Sequence, residues 1–382
     1  MADLPTADPP ADRRLARDVA RWFAGNARPL PWRTEPRDPW RSLMSEIMLQ
    51  QTQVARVAER FDAFVGRFPT PKAMAARPVD DVLELWSGLG YYRRARALHQ
   101  CATAIVERHG GAVPSSIEEL RALPGIGRYT AGAVASIVFG QPEPLVDGNV
   151  SRVLLRVHGV QRAADEPRVQ AWAWRRAQDL AQAASDVPAY SEGIMELGAT
   201  VCTPKAPQCD RCPLRARCRA RREGATDRIP RPKARADRQP LAMTAIVVSD
   251  ARGRVLLERR PQSGLWAGLL QPPCVERAAR TPHSKAAAVQ SLGLQDSVDV
   301  RGRANGFPFQ TTHRSVVVRV WKASTSNPSA AGRARGPGAR WYEVDHLDAL
   351  GLASAQRRML EAAGVLPFSD GDIKAPPTVR MR

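Results

Sequence analysis

Residues 123–133 read LPGIGRYTAGA. A Pro-Gly pair, an Ile and a second Gly separate a helical segment that ends near Ala122 from another expected over Arg128 to Phe139. The pattern predicts a helix-hairpin-helix. Gly125 and Gly127 permit positive φ and let the backbone come close to a ligand. The N–H groups that open the second helix point outward with the positive end of its dipole, which suits a phosphate. Contacts of that kind position a protein on DNA without reading its sequence. An ordinary turn between two helices is the commoner explanation of such a stretch. The Gly-x-Gly-Arg crowding, with Arg128 at its edge, favours DNA in a basic chain.

The chain around the hairpin is basic and helical. Lys and Arg number 57 against 38 acids, a net charge of +19, and the pI is near 10.8. This excess fits a polyanion, nucleic acid first, because released counterions alone give affinity; an Arg-biased composition would produce the same number. Apolar residues recur at three and four in LARDVARWFAGNA (15–27), SEIMLQQTQVARVAERFDAFV (45–65) and VDDVLELWSGLGYYRRARALHQCATAIVERHG (79–110), the helical period. Ser116 and Glu119 stand at capping-box spacing. Residues 12–222 are therefore expected to form one all-α unit, with 1–11 disordered.

Between Arg211 and Arg238, eleven basic residues meet three acidic ones, and prolines stand at 213, 230 and 232. Its later part, 223–240, reads as an extended basic linker. From 241 the period changes: MTAIVVSD, GRVLLERR and RSVVVRVWKA read as strands, SKAAAVQSLGL and RMLEAAG as helices. A small α+β domain is expected over 241–365 and a disordered tail over 366–382. The N-terminus has no secretory pattern, and uncharged runs such as 131–140 fall short of the about 20 residues that span a bilayer. A soluble, cytoplasmic protein that acts as a monomer and touches no membrane is the expectation. Six cysteines in a reducing compartment then argue against disulfides.

Two carboxylates stand out. Glu46, in RSLMSEIMLQQTQV, has Leu43, Met44, Ile47 and Met48 around it. A carboxyl in such company has a raised pKa and keeps its proton near neutrality. Asp147, in QPEPLVDGNVSRVLLRV, precedes a helix, where it is either a plain N-cap or a carboxylate held ionised by helix N–H groups and aimed into a cleft. One neutral and one charged acid is the arrangement that breaks a glycosidic bond through an oxocarbenium-like state.

Cys202, Cys209, Cys212 and Cys218 follow C-x6-C-x2-C-x5-C, while the other cysteines lie far off at 101 and 274. Four thiols in one short loop signal a metal site. Structural zinc usually shows two short pairs; one short pair with wider flanks suits an iron–sulfur cube at least as well. Either would staple a loop that carries Lys205, Arg211, Arg215 and Arg217.

The hairpin, the downstream Asp and the four-cysteine loop, in this order, resemble the endonuclease III superfamily of helix-hairpin-helix DNA glycosylases. Within it, SEIMLQQTQV, GLGYYRRA, LPGIGRYTAGA and LVDGNVSRVL resemble the adenine DNA glycosylase (MutY-type) family. The resemblance is close over residues 12–222 and loose beyond. It implies a multidomain protein: an all-α glycosylase domain with a [4Fe–4S] loop, then a Nudix-like domain. It further implies that adenine opposite 8-oxoguanine or guanine is flipped out of duplex DNA and removed. Glu46 falls on the family's catalytic acid, Asp147 on the carboxylate that stabilises the sugar cation and Asn149 on the residue that orients it. Tyr129 stands where lyases of the superfamily carry lysine. A phenol cannot form a Schiff base, so a monofunctional enzyme is expected.

Trp32, Arg33 and Glu192 match positions lining the adenine pocket, and Gln51 and Tyr91 match side chains that wedge into the vacated helix. On their own residues, Gln51 would be helix surface and Tyr91 core packing. The last domain resembles a Nudix fold through GLWAGLLQPP, but its helix SKAAAVQSLGL has no glutamate to hold magnesium, which excludes pyrophosphohydrolase activity. The family inspects the oxidised guanine there through a Phe-Ser-His loop. This chain has Thr311, Thr312 and His313 in FPFQTTHRS, so the Phe is replaced and a hydroxyl is kept. A bifunctional pyrimidine-damage glycosylase and a non-catalytic DNA-damage sensor are the alternatives. Tyr129 and the extra domain oppose the first, and a buried acid at Glu46 opposes the second.

Overall fold

The computed structural model describes residues 4–232, 237–261, 263–311, 313–347, 350 and 352–368, except the side chains of 303 and 304. The chain divides into two compact units. The first is Met1–Pro78 with Arg96–Ala234, and the second is Val79–Ala95 with Arg235–Arg382.

Helices make the first unit. In chain order they are α1 (Pro9–Ala24), α2 (Pro39–Leu49), α3 (Val54–Arg67) and α4 (Pro71–Ala75), then, after the excursion of 79–95 that holds α5 (Val79–Leu85), α6 (Arg93–His109), which crosses the division. There follow α7 (Ile117–Arg121), α8 (Arg128–Ile137), α9 (Gly148–His158), α10 (Pro167–Ala183), α11 (Val187–Thr200) and α12 (Arg219–Arg222). Side-chain caps start many of them. Asp8, Asp38, Ser116, Asp147 and Asp186 each accept a backbone N–H of the first turn, satisfying a donor the helix leaves unpaired. The core between α1, α9, α10 and α11 holds Val19, Leu154, Trp172 and Leu197.

Three boundaries differ from expectation. The segment before residue 12 is not disordered where it is described: Asp8 caps α1, and Pro5 O accepts the Trp172 indole N–H at 2.7 Å. Residues 79–95 do not stay within the 12–222 unit but belong with the second, and Gly88 and Gly90, with φ of 84° and 71°, interrupt the helical period of 79–110. The linker is shorter than 223–240, since Ala225 and Ile229 are buried in the first unit's core and the first strand already starts at Gln239. Prolines and arginines favour an extended linker there, but the sparse apolar side chains between them have core to reach. The tail 369–382 lies outside the described residues.

The second unit is a mixed sheet with helices on both faces. Its strands are β1 (Gln239–Asp250), β2 (Val255–Arg259), β3 (Leu270–Gln271), β4 (Cys274–Arg277), β5 (Asp299–Gln310), β6 (Arg314–Thr325) and β7 (Ala339–Tyr342). Their order is β3-β2-β1-β6-β5, with β4 also on β1 and β7 on β2. β1 and β6 run parallel over Gln239–Asp250, and β5 and β6 form an antiparallel hairpin. Met243, Ala245 and Val247 of β1 pack towards Met359 and Leu360 of α15 (Ser354–Ala362). The alternate residues Ile246 and Val248 meet Ala288 of α13 (Lys285–Ser291) and Ala331 of α14 (Pro328–Ala334). A strand covered on both faces reads as an unbroken apolar run, which is how MTAIVVSD reads. Among the described residues, no helix is long and apolar enough to cross a membrane.

Candidate active site

The hairpin comes first. Gly125 has φ of 77°, and a Cβ there would sit 2.6 Å from the Ala97 Cβ, so glycine is required twice over. Gly127 differs: its φ is −87°, extended, and open space surrounds it. With no side chain there, the start of α8 is left uncovered. Arg128 lies flat on Trp174, 3.9 Å from guanidinium to ring centroid, at the edge of that opening.

Behind the hairpin, α2, α8, the start of α9 and α11 enclose a cavity of about 720 Å3, within the range of small-molecule sites. Glu46, Asp147, Asn149, Tyr129, Trp32, Arg33, Gln51 and Glu192 all line it, together with Gly125, Gly127 and Arg128. Eleven residues named from sequence thus converge on one space, although they come from distant parts of the chain. Tyr91 does not line it; it belongs to the second unit.

Glu46 is 9 % exposed. Burial pushes its carboxyl up to about 7; the hydrogen bond with the Tyr129 hydroxyl works against this, and the charges of Asp147 and Glu192 add to it. The same burial and the two neighbouring carboxylates hold the Tyr129 phenol well above its ordinary value, so it stays an O–H donor. That hydroxyl also lies 3.1 Å from Met195 Sδ. Asp147 is both a cap and a site residue. Oδ1 accepts Val150 N–H at 2.7 Å and Oδ2 accepts Asn149 Nδ2–H at 2.9 Å. Two N–H donors are the partners a carboxylate takes. The carboxylate that caps α9 thus also lines the cavity.

Asn149 is held in turn. Its Oδ1 accepts from Arg152 Nη2 at 2.8 Å, and Arg152 donates onward to Cys202 O and Gly198 O, each at 2.7 Å. Gly198 leaves room for this, since a Cβ there would meet the Asn149 Cβ at 2.7 Å.

On the opposite wall Arg33 donates to Glu192 (2.8 Å) and Glu196 (3.0 Å). Arg28 pairs with Glu196 at 2.6 Å and Arg37 with Glu192 at 2.7 Å. Burial works to raise Glu196, but the hydrogen bonds from Arg28 and Arg33 outweigh it and hold the carboxyl below its usual range. Sequence reading missed Arg28, Arg37, Glu196 and Arg152. The signal was there in part: Glu192 and Glu196 stand four apart on one helix face amid apolar residues, as Arg152 and Arg156 do.

Gln51 and Tyr91 are neither ordinary helix surface nor core. Both take left-handed backbone, with φ of 56° and 51°, a conformation that costs an L-residue about 1–2 kcal/mol. Gln51 is exposed and Tyr91 is 52 % exposed. In the second unit, Thr311 Oγ1 accepts Arg314 N–H at 3.0 Å within the turn between β5 and β6. His313 is exposed on that turn, and Thr312 lies outside the described residues.

The four cysteines line one cavity beside α9 and α12. Arg156 Nη1 donates to Cys202 Sγ at 3.4 Å. Burial raises the Cys212 thiol to about 12 and also raises that of Cys218, so ionised sulfur there needs a cationic partner. Among the described residues, no three His, Cys, Asp or Glu side chains are grouped to hold a single metal ion. Four soft sulfur donors lining one cavity are a donor set that fits thiophilic metals, iron in a sulfide cluster as well as zinc.

Comparison with known proteins matches both halves of the chain to known families. Residues 44–179 match the HhH-GPD superfamily base excision DNA repair proteins, and residues 244–362 match the NUDIX domain. The chain is similar to the adenine DNA glycosylase of Rattus norvegicus, 31 % identical over 90 % of this chain and 76 % of that one. It is similar also to the adenine DNA glycosylase of Mycobacterium tuberculosis, 47 % identical over 50 % of this chain and 63 % of that one. Among solved structures, a thermostable thymine-DNA glycosylase superposes with a TM-score of 0.50 at 25 % identity, covering 56 % of this chain and 98 % of its own.

Proposed function

The chain belongs to the adenine DNA glycosylase family, and from that premise we propose that it removes adenine mispaired with 8-oxoguanine or guanine from duplex DNA and leaves the strand intact. It is a DNA glycosylase of base excision repair. The observation that carries the finer reading is the pairing of Glu46 and Asp147 on one cavity, one kept protonated by burial and the other dressed with N–H donors.

The steps follow from those two groups. Glu46, with its proton retained near neutrality, donates to a ring nitrogen of the flipped purine and makes it a better leaving group. Positive charge then builds on the sugar, and Asp147, fixed by Val150 N–H and Asn149, stabilises it. Asn149 and Arg152 keep the carboxylate from turning away. Arg33 and Glu192, locked in their ion-pair row, present a rigid polar wall to the base. The described lining residues include no lysine, and Tyr129 has no amine, so water is left to capture the sugar cation.

The helix-hairpin-helix and Arg128 would grip the phosphates of double-stranded DNA. Cys202, Cys209, Cys212 and Cys218 would hold a [4Fe–4S] cluster. When bound, it supplies the cationic charge that the buried thiols need and staples residues 202–218 to α9.

The test is single-turnover incubation with duplexes carrying A opposite 8-oxoguanine, G or T. Free adenine is expected from the first two, with strand cleavage only after alkali. Release of damaged pyrimidine together with a borohydride-trapped adduct would establish the lyase alternative, and DNA binding without base release would establish the sensor.

A further inference from the structure

The turn that carries Tyr91 is more heavily fastened than an exposed loop requires. Trp86 is fully buried and donates its indole N–H to Gly90 O at 2.9 Å. Arg94, in the first turn of α6, donates from Nη2 to the same Gly90 O at 3.1 Å. Its guanidinium lies over two rings, Trp86 at 5.2 Å and Tyr91 at 5.5 Å from the centroids. Tyr91 is thus within cation–π reach of a guanidinium that also lies over a buried tryptophan. The next residue, Tyr92, is buried and donates its hydroxyl to Leu352 O at 2.9 Å, just ahead of α15. Asp80 pairs with Arg259 at 3.1 Å, a second tie between 79–95 and the sheet.

We propose that Arg94 and Tyr92 are positioning residues for opposite-base recognition: Arg94 presets Tyr91 as a wedge, and Tyr92 fastens the wedge turn to the unit that carries His313. This rests on the glycosylase reading above and on the family resemblance that matches Tyr91 to a side chain wedged into the vacated helix. A tyrosine held in left-handed backbone with half its surface in solvent has no packing reason to be there. A wedge that is rigid before binding loses less entropy on insertion. Stacking by a planar guanidinium supplies that rigidity and a lysine ammonium does not. The tie through Tyr92 makes the wedge and the β5–β6 turn parts of one body, so both meet the base opposite adenine together.

The experiment compares wild type, Arg94→Lys, Tyr92→Phe and Tyr91→Ser as full-length proteins. Two quantities are measured: the ratio of affinities for a matched duplex and for one carrying non-cleavable 2′-fluoroadenosine opposite 8-oxoguanine, and the single-turnover excision rate at saturating enzyme. Arg94→Lys is expected to lower the preference for the mispair about tenfold and Tyr92→Phe about threefold. The saturated rate should change less than threefold in both. Equal losses in preference and saturated rate would mean general damage to the fold and overturn the proposal. So would an unchanged preference in both variants when Tyr91→Ser lowers it. An unchanged preference in Tyr91→Ser itself removes the wedge reading, and wild type that releases no adenine removes the function on which it rests.

Discussion

Replacing Glu46 with Gln should make the protein more stable, and increasingly so as the pH rises. Burial moves the Glu46 carboxyl from 4.5 to about 7. At 1.36 kcal/mol per pKa unit, the folded state disfavours the ionised form by about 3 kcal/mol. The sign follows from proton uptake. Between pH 4.5 and 7 the folded protein binds more of this proton than the unfolded chain does, so stability is present below 4.5 and is lost as the pH climbs through about 7. Gln fills the same volume, still accepts from Tyr129 and never ionises. Urea unfolding of both proteins, followed by tryptophan fluorescence at pH 5 and pH 8, reads the effect. The stability gap between Gln variant and wild type should widen by at least about 2 kcal/mol over that interval. In the proposed mechanism the same proton goes to the leaving base, so the wild-type excision rate should fall tenfold per pH unit above about 7. A gap independent of pH would refute the reasoning, because it would show that Glu46 ionises in the fold as freely as in the unfolded chain.

Other consequences follow from the same geometry. The Tyr129 hydrogen bond lowers the Glu46 pKa, so Tyr129→Phe should move the alkaline limb of the excision profile to higher pH, measured by single-turnover rates across pH 6 to 9. Arg152→Met strips donors from Asn149 Oδ1, Cys202 O and Gly198 O; roughly 2–4 kcal/mol of stability should be lost, together with excision rate, by denaturation and kinetics. Glu196→Gln weakens the charge row that fixes Arg28 and Arg33, and should raise the Kd for mispaired duplex several-fold by titration of labelled DNA. If Cys202, Cys209, Cys212 and Cys218 hold iron and sulfide, removing them should leave α8 protected from hydrogen exchange while residues 202–231 exchange faster.

What was legible in the sequence was chemistry tied to local pattern. LPGIGRYTAGA announces its turn because two glycines and a proline leave few backbone choices, and Gly125 takes the positive φ expected. Glu46 announces itself because a carboxyl among Leu, Met and Ile has no solvent to reach. Asp147 was ambiguous between cap and catalyst, and the structure shows why no local reading could separate them: the carboxylate that caps α9 also lines the cavity. The ion-pair row through Arg28, Glu196, Arg33, Glu192 and Arg37 was hidden, because it joins residues about 160 apart that only the packing of α11 beside the 28–37 loop brings together. The fate of 79–95 was hidden for the same reason. Its helical period is correct over α5 and α6, but two positive-φ glycines and the Tyr92 tie to Leu352, far along the chain, decide where it packs.

The central claim is that a carboxylic acid and a carboxylate share one cavity. Infrared difference spectra of wild type against Glu46→Gln at pH 6, with and without Asp147→Asn, test it without any substrate. A protonated-carboxyl C=O band that vanishes with Glu46→Gln, and that titrates at lower pH once the Asp147 charge is removed, is the predicted result. A spectrum with carboxylate bands alone at pH 6 would contradict it, because Glu46 would then have no proton to give.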